Sequence, residues 1–260
     1  TNRPGARFGP QAIRAASVQL AESANHAFPS DVDLFADLAI ADYGDCELDF
    51  GYPAQVVERI FNHAQSLLLH DVMMISLGGD HFVTYPLLQA HAEKYGPLSL
   101  LHFDAHVDTW DDDGERLDHG SMFLRALREG IIVPERSVQV GIRSLSDEDY
   151  GFTVLDSPWV HEHGTDNTVA RIKEVIGDSP TYLTFDIDCL DPAFAPGTGT
   201  PVAGGLTSMQ ALTIIRQLGG VNFIGMDLVE VAPAYDHAEI TAIAAATIVH
   251  DFIALKANAL

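Results

Sequence analysis

Aspartates and histidines occur in three short segments of this chain at spacings that suit metal binding. Segment 104–108 carries Asp, His and Asp at alternate positions, and segment 186–188 carries two Asp at the same spacing. Alternate residues of an extended segment point to one face. A further histidine, His81, follows a Gly-Gly pair that lets the backbone turn sharply. The candidate metal ligands are therefore His81, Asp104, His106, Asp108, Asp186 and Asp188.

Four carboxylates brought together repel one another and resist ionising together, so cations must compensate them. Two divalent cations would balance the four charges. Ligands rich in oxygen, with some imidazole and no thiolate, favour Mn²⁺ over a cysteine-bound zinc. A metal pair about 3.5–4 Å apart lowers the pKa of a bridging water and holds the resulting hydroxide. Each motif alone could be a helix cap or a turn, but the three together predict a binuclear metal site.

The elements that position these residues are predicted from apolar runs that alternate with amphipathic stretches. This alternation is typical of an α/β fold, a three-layer αβα sandwich around a mostly parallel sheet. The predicted strands are 36–42, 72–77, 98–104, 137–142, 152–155, 181–186 and 221–227. The predicted helices lie at about 10–17, 53–70, 83–95, 120–129, 166–177, 207–218 and 239–255.

Polar clusters follow four of the predicted strands. Three are the metal-binding segments, and the fourth runs from Asp227 to Glu230 after strand 221–227. Ligands bind beyond the carboxyl ends of the strands in such sheets, so all four clusters are expected at one edge. His102 shares the parity of Asp104 but lies deeper in its strand, and we predict a hydrogen-bonded core histidine there.

The charge of the chain excludes several kinds of partner. The 14 Lys and Arg against 37 Asp and Glu give a formal net charge of −23. Nucleic acids and anionic membranes both require clustered basic residues, whereas cationic partners stay open and much of the acid is expected to be solvated surface. Cys46 and Cys189 cannot make a disulfide framework, which favours a reducing, cytoplasmic compartment. No uninterrupted apolar run reaches the roughly 18 residues of a membrane span.

The motifs resemble those of the ureohydrolase family of arginases and agmatinases, and most closely its bacterial agmatinase branch. The resemblance implies a single domain over residues 1–260, with an eight-stranded sheet in the family whose first strand is expected to be missing from this chain. The segments that carry the resemblance are 3–14, 78–81 (GGDH), 102–108 (HFDAHVD), 118–123 (DHGSMF) and 184–206 (TFDIDCLDPAFAPGTGTPVAGGL).

The resemblance also implies roles for individual residues. Glu230 would bind the substrate guanidinium, His119 would relay a proton, and Thr200 would lie near the guanidinium. Their structural alternatives are a cap or surface acid for Glu230 and a loop-packing histidine for His119. Asp108 would also help to move a proton, and Arg143 receives no role. One Mn²⁺ would be held by His81, Asp104, Asp108 and Asp186, and the other by Asp104, His106, Asp186 and Asp188, so that Asp104 and Asp186 bridge.

The implied reaction is hydrolysis of a guanidinium to urea and an amine by a hydroxide that bridges the two metals. Trp110 stands where arginases carry an Asn, and the loop around it is acidic. A second ammonium would be favoured there over a carboxylate, which points to agmatine, with putrescine as product, and to polyamine biosynthesis. The alternatives are a guanidino-acid hydrolase such as a guanidinobutyrase, a non-catalytic metal-binding relative, and an Asp111–Asp113 stretch that is only solvated. The family also implies a homo-oligomer, a trimer or hexamer.

Overall fold

Six parallel strands form the central sheet of the computed structural model, which describes residues 2–22, 33–49, 51–111, 118–146 and 148–257. The strands are β1 (Met74–Leu77), β2 (Ser99–Phe103), β3 (Val138–Val140), β4 (Thr153–Leu155), β5 (Thr181–Asp186) and β6 (Phe223–Val229). Their order across the sheet is β1-β6-β5-β2-β3-β4, and every neighbouring pair is parallel.

Helices cover both faces of this sheet, so the predicted three-layer α/β fold is confirmed. Alternate strand residues supply two separate cores: Leu101 and Phe103 lie in one, Leu100 and Tyr182 in the other. Helices α1, α6, α7 and α8 pack on the first core and α3, α4 and α5 on the second. The helices are α1 (Gly9–Glu22), α2 (Leu34–Asp37), α3 (Val56–Leu68), α4 (Thr84–Tyr95), α5 (Met122–Arg128), α6 (Ser157–Ile176), α7 (Ser208–Gln217) and α8 (Ile240–Ala257).

The strand predicted at 36–42 is wrong. The short helix α2 occupies the start of this segment, and residues 38–49 have no regular secondary structure. The Asp33 side chain accepts hydrogen bonds from the backbone N–H groups of Phe35 and Ala36, which caps the helix. Alanine and aspartate, which alternate with the apolar residues of this segment, are depleted in strands, so its alternation was a weak signal.

Two other boundaries differ from the prediction in ways that matter for the site. Strand β6 continues to Val229, so Asp227 lies inside the strand rather than at its end. Helix α6 begins at Ser157, nine residues before the predicted start at 166, because the Asp156 side chain caps it by accepting from Trp159 N–H. Gly164, with φ 78°, kinks this helix. The kink interrupts the helical periodicity, so the pattern predicts only the second half.

Helix α8 is the most apolar helix of the described chain. By length and composition it could cross a membrane, with 18 residues of mean hydropathy 1.5, but 56% of that window is buried in the fold. It packs against α1 and α7 and carries the buried Asp251, whose carboxylate pairs with Arg216 at 2.7 Å. We therefore interpret it as a core helix. Both cysteines are free.

Candidate active site

The carboxyl ends of four adjacent strands, β1, β6, β5 and β2, meet at one edge of the sheet. Each end is followed by polar residues, as the sequence predicts. Gly78 needs to be glycine here, because a Cβ would lie 2.6 Å from Val229 Cγ1 on the adjacent strand. The close approach of β1 and β6 brings the turn after β1 beside Glu230.

One cluster of ligand atoms surrounds the imidazole of His81. Its Nδ1 lies 3.1 Å from Asp104 Oδ2, 3.1 Å from Asp108 Oδ2 and 3.3 Å from Asp186 Oδ2. These three carboxylates and the histidine are at most 5% exposed. The Nδ1 atom is buried and makes no well-aligned hydrogen bond, so three oxygens converge on one nitrogen without satisfying it.

A second cluster forms around His106. Its Nδ1 lies 3.2 Å from Asp104 Oδ1 and 3.2 Å from Asp188 Oδ2. Asp104 therefore faces both clusters, with one carboxylate oxygen on each. Asp186 adjoins the second cluster through its Oδ1, which accepts the backbone N–H of Asp188 at 2.8 Å. The structure thus brings together all six predicted ligands.

The electrostatics of these clusters fit divalent cations. Burial, together with the charges of Asp188 and Asp104, raises the pKa of Asp186 well above its usual value. Burial and the charge of Asp104 also raise the pKa values of Asp108 and Asp188. Dehydrated carboxylates that repel one another need nearby positive charge, and three of them surround the Nδ1 of His81, where, against the lowering effect of burial, their hydrogen bonds raise the pKa of His81 well above its usual value. Both features are those of a divalent metal site.

Glu230 and His119 lie beside the His81 cluster. Glu230 is 2% exposed, and its Oε1 accepts the backbone N–H of His81 at 2.8 Å. His119 Nδ1 lies 3.4 Å from Glu230 Oε1 and 3.3 Å from Asp80 Oδ2. Hydrogen bonds to Asp80 and Glu230 raise the pKa of His119 to about 10. In the described part of the chain, His119 alone pairs ionically with Glu230, so its buried carboxylate has no Lys or Arg partner there.

Thr200 and Trp110 lie on the His106 side of the site. The Thr200 hydroxyl donates to Asp188 Oδ2 at 3.0 Å, so it contacts a candidate ligand directly. The Trp110 ring is 39% exposed and lies 6.1 Å from the His106 ring. Asp111 is exposed and accepts a hydrogen bond from Arg128 at 2.8 Å, whereas Asp112 and Asp113 lie outside the described residues.

His102 is buried and hydrogen-bonded, as predicted, and its bonds reveal a residue that sequence reasoning missed. Gln139 Nε2 donates to Val107 O at 2.8 Å and contacts His102 Nδ1 at 3.1 Å. A carbonyl can only accept, which fixes that amide nitrogen as the donor and His102 Nδ1 as an acceptor. The proton of His102 is then on Nε2, which donates to Asp104 Oδ2 at 2.8 Å. Gln139 and His102 thus hold one oxygen of the shared carboxylate.

Arg143, to which the sequence assigned no role, is a structural residue whose partners are backbone atoms that a sequence does not display. Its guanidinium donates to the carbonyl of Asp188 at 2.6 Å and to that of Val202 at 2.8 Å. Further bonds reach the carbonyls of Gly141, Cys189 and Leu190. Arg143 therefore fixes the turn that carries Asp188.

The fold and the site together define an α/β protein with a divalent metal site at the carboxyl edge of its sheet. The family model of the arginase family matches residues 1–254. An agmatinase from Chromobacterium violaceum is 60% identical over 260 residues, covering 99% of this chain and 80% of that protein. A crystal structure of a hypothetical agmatinase from Burkholderia thailandensis has a TM-score of 0.97 at 60% identity, covering 99% and 82%. The proclavaminate amidino hydrolase of Streptomyces clavuligerus has a TM-score of 0.94 at 37% identity, covering 100% and 88%.

These matches extend over nearly the whole chain. The chain belongs to the arginase family. It is an enzyme, a hydrolase of the ureohydrolase type, and its similarity to curated agmatinases is high.

Proposed function

We propose that this chain hydrolyses agmatine to putrescine and urea at a site that holds two Mn²⁺ ions. The observation that carries the proposal is the buried Glu230 carboxylate, which lies beside the ligand cluster without a Lys or Arg partner in the described chain. Its ionic partner in the described chain is His119, and a guanidinium would bring a permanent positive charge to the same carboxylate. The 60% identity to a curated agmatinase supports the choice of agmatine.

Each residue of the site would have a distinct role in the reaction. When bound, the two cations supply hydroxide at neutral pH. Glu230 would pair with the planar guanidinium and turn its carbon toward the ligand cluster. Asp108, which faces that cluster, would accept the proton of the attacking oxygen. His119 has a raised pKa of about 10, so it would carry the proton that the departing amine needs.

The surroundings of the site favour a cationic substrate tail. The Trp110 ring is partly exposed next to His106, and its indole N–H is fixed by Leu145 O at 3.1 Å. An aromatic face attracts an ammonium group and offers no charge to a carboxylate. Agmatine, which lacks the α-carboxylate of arginine, suits this surface. Thr200, which the resemblance places near the guanidinium, would help to order the site through its bond to Asp188.

Measuring urea release from agmatine, arginine and guanidinobutyrate side by side tests the proposed substrate. We expect agmatine to give the highest kcat/KM. A guanidino-acid hydrolase is the second candidate, because a relative of 37% identity is an amidino hydrolase of another substrate. Faster turnover of guanidinobutyrate would reject agmatine, and no urea from any of the three would favour a non-catalytic relative.

Metal content and turnover tested together check the metal part of the proposal. Dialysis against a chelator should abolish urea release, and Mn²⁺ should restore it. Asp186→Ala should lose bound metal as well as turnover, because Asp186 faces His81 in the ligand cluster. The matched control is Asp178→Ala, an exposed aspartate after α6, which should keep both. Full activity in metal-free protein would contradict the proposal. A single domain over residues 1–260, a homo-oligomer and a cytoplasmic location stay predictions.

A further inference from the structure

The side of His81 that faces away from the ligand cluster contacts a buried threonine. His81 Nε2 lies 2.9 Å from the hydroxyl oxygen of Thr184. That hydroxyl donates in turn to Asp227 Oδ1 at 2.6 Å. All three residues are at most 1% exposed, so water does not compete for these bonds.

Asp227 accepts hydrogen bonds from several hydroxyl groups at once. Besides Thr184, its carboxylate accepts from Thr84 at 2.8 Å and from the phenol of Tyr182 at 3.0 Å. The register of the sheet sets Thr184 of β5 directly beside Asp227 of β6. In the described chain no Lys or Arg pairs with Asp227. Burial raises the pKa of Asp227, and the three hydroxyl donors oppose that rise because they stabilise the carboxylate. A carboxylate that accepts from three hydroxyls fixes the direction in which each of them points.

These bonds determine which nitrogen of His81 carries its proton. A hydroxyl has one hydrogen, and Thr184 donates it to Asp227. The Thr184 oxygen can then only accept from His81, so Nε2 must be the N–H nitrogen. A neutral imidazole has one N–H, which leaves a lone pair on Nδ1. That is the atom which Asp104, Asp108 and Asp186 surround.

We infer that Thr184 and Asp227 are positioning residues, which fix the tautomer of His81 so that its Nδ1 lone pair is held ready for a divalent cation. The inference rests on the metal site of the proposed function but does not depend on the substrate. A partner on the far ring nitrogen orients a histidine ligand and raises its affinity for the metal. Without the Thr184 bond, the ring could place its proton on Nδ1 and donate it to a neighbouring carboxylate, which would block binding.

Calorimetric titration of the metal-free protein with Mn²⁺ tests the inference. In Thr184→Val the shape of the side chain stays and the hydroxyl is lost. We expect the affinity for one of two Mn²⁺ ions to fall ~10–100-fold, while the other ion, on the His106 side, binds as before. Thr184→Ser should restore the lost affinity. If Thr184→Val is insoluble, Thr184→Ala serves in its place.

Thr84→Val is the matched control. It removes another hydroxyl that donates to the same Asp227 carboxylate, in the same buried setting, but not the bond to His81. Its Mn²⁺ affinities should stay within about threefold of the parent. Equal losses in Thr84→Val and Thr184→Val would show a merely structural role and overturn the inference, as would unchanged binding in Thr184→Val. Selective loss in Thr184→Val would uphold it even in a protein that releases no urea from agmatine, so the two proposals fail separately.

Discussion

Two residues of the candidate site adopt left-handed backbone conformations that non-glycine residues rarely take. The φ angles are 49° at Asp108 and 63° at Glu230. Such conformations cost on the order of 1–3 kcal/mol each and persist where the surrounding structure enforces them. At Glu230 the bond from its N–H to Gly79 O, 2.9 Å long, holds the conformation. The strain aims both carboxylates at the site.

Glu230→Gln tests the role of this carboxylate with little change in shape. Glutamine keeps an oxygen that can accept the His81 backbone N–H, so the fold and the metal site should stay intact. The charge that would pair with the guanidinium is lost, and removing one partner of a buried charged pair costs about 2–5 kcal/mol. We expect kcat/KM for agmatine to fall by at least ~30-fold, since 1.4 kcal/mol is a factor of ten.

The control for this variant is its content of bound metal, measured by inductively coupled plasma mass spectrometry. Its Mn²⁺ content should equal that of the parent protein. Unchanged kinetics would dismiss Glu230 as the guanidinium ligand. Loss of metal would make it part of the metal site instead, because its Oε1 contacts the backbone of His81.

The sequence predicts residues whose chemistry is visible in local spacing. The six candidate ligands follow from alternation within 104–108 and 186–188 and from the Gly-Gly turn before His81. No roles emerged for Thr184, Asp227 and Gln139, because each role depends on which residue of a neighbouring strand lies opposite. Hydroxyl and amide side chains within a strand otherwise resemble any buried polar residue. Cross-strand register is what a single sequence does not display.

At the scale of whole elements, the prediction succeeded where apolar runs are buried on both faces. The core of each strand from β1 to β6 falls in a predicted run, because parallel strands between two helical layers lack polar alternation. It failed at 36–42, where a capping Asp33 and alanines favour a helical turn instead. It also missed the first half of α6, where Gly164 interrupts the helical pattern.

Helix α4 carries a buried histidine that should make stability depend on pH. His91 is fully buried; its Nδ1 bonds the carbonyl of Leu87 at 2.8 Å, whereas Nε2 has no partner. Burial lowers the pKa of His91 to about 4, against about 6.5 in an unfolded chain. The unfolded state therefore binds the proton first. The neutral His91 therefore stabilises the folded state fully above pH 6.5. This stabilisation is lost as the pH falls toward 4, at about 1.4 kcal/mol per pH unit.

Urea unfolding at pH 7 and pH 5 measures this effect. The free energy of unfolding of the parent should fall about 2 kcal/mol more than that of His91→Asn, whose amide can still donate to Leu87 O. The variant will be less stable at both pH values, since it leaves space against Tyr182. The quantity to compare is therefore the change in the free energy of unfolding between the two pH values. His70→Asn, at an exposed histidine before β1, is the control. If the free energy of unfolding changed equally with pH in His91→Asn and His70→Asn, His91 would be excluded as the titrating group.

Considered as a whole, the molecule concentrates part of its negative charge where it is least solvated. Of a formal net charge of −23, the four aspartates of the ligand clusters are buried at one sheet edge. The remaining acid is largely surface, as the composition predicts. Its sign would raise the local concentration of a dicationic substrate modestly at low salt.

We expect the same buried charges to make the stability of the fold depend on metal. A ligand that binds only the native state stabilises it by about 2.7 kcal/mol at 100 times its Kd, so saturating Mn²⁺ should raise Tm well above that in chelator. Asp186→Asn should weaken this dependence. In chelator it removes one of the repelling charges while its amide oxygen can still accept Asp188 N–H, so Tm should rise by ~2–4 °C per kcal/mol of relieved repulsion. In Mn²⁺ the Tm of the variant should lie below that of the parent, because a shared ligand is lost.

Asp178→Asn removes the same charge from the surface and should shift Tm little in either buffer. A lower Tm for Asp186→Asn in chelator would mean that hydrogen bonding, and not charge repulsion, dominates the metal-free site.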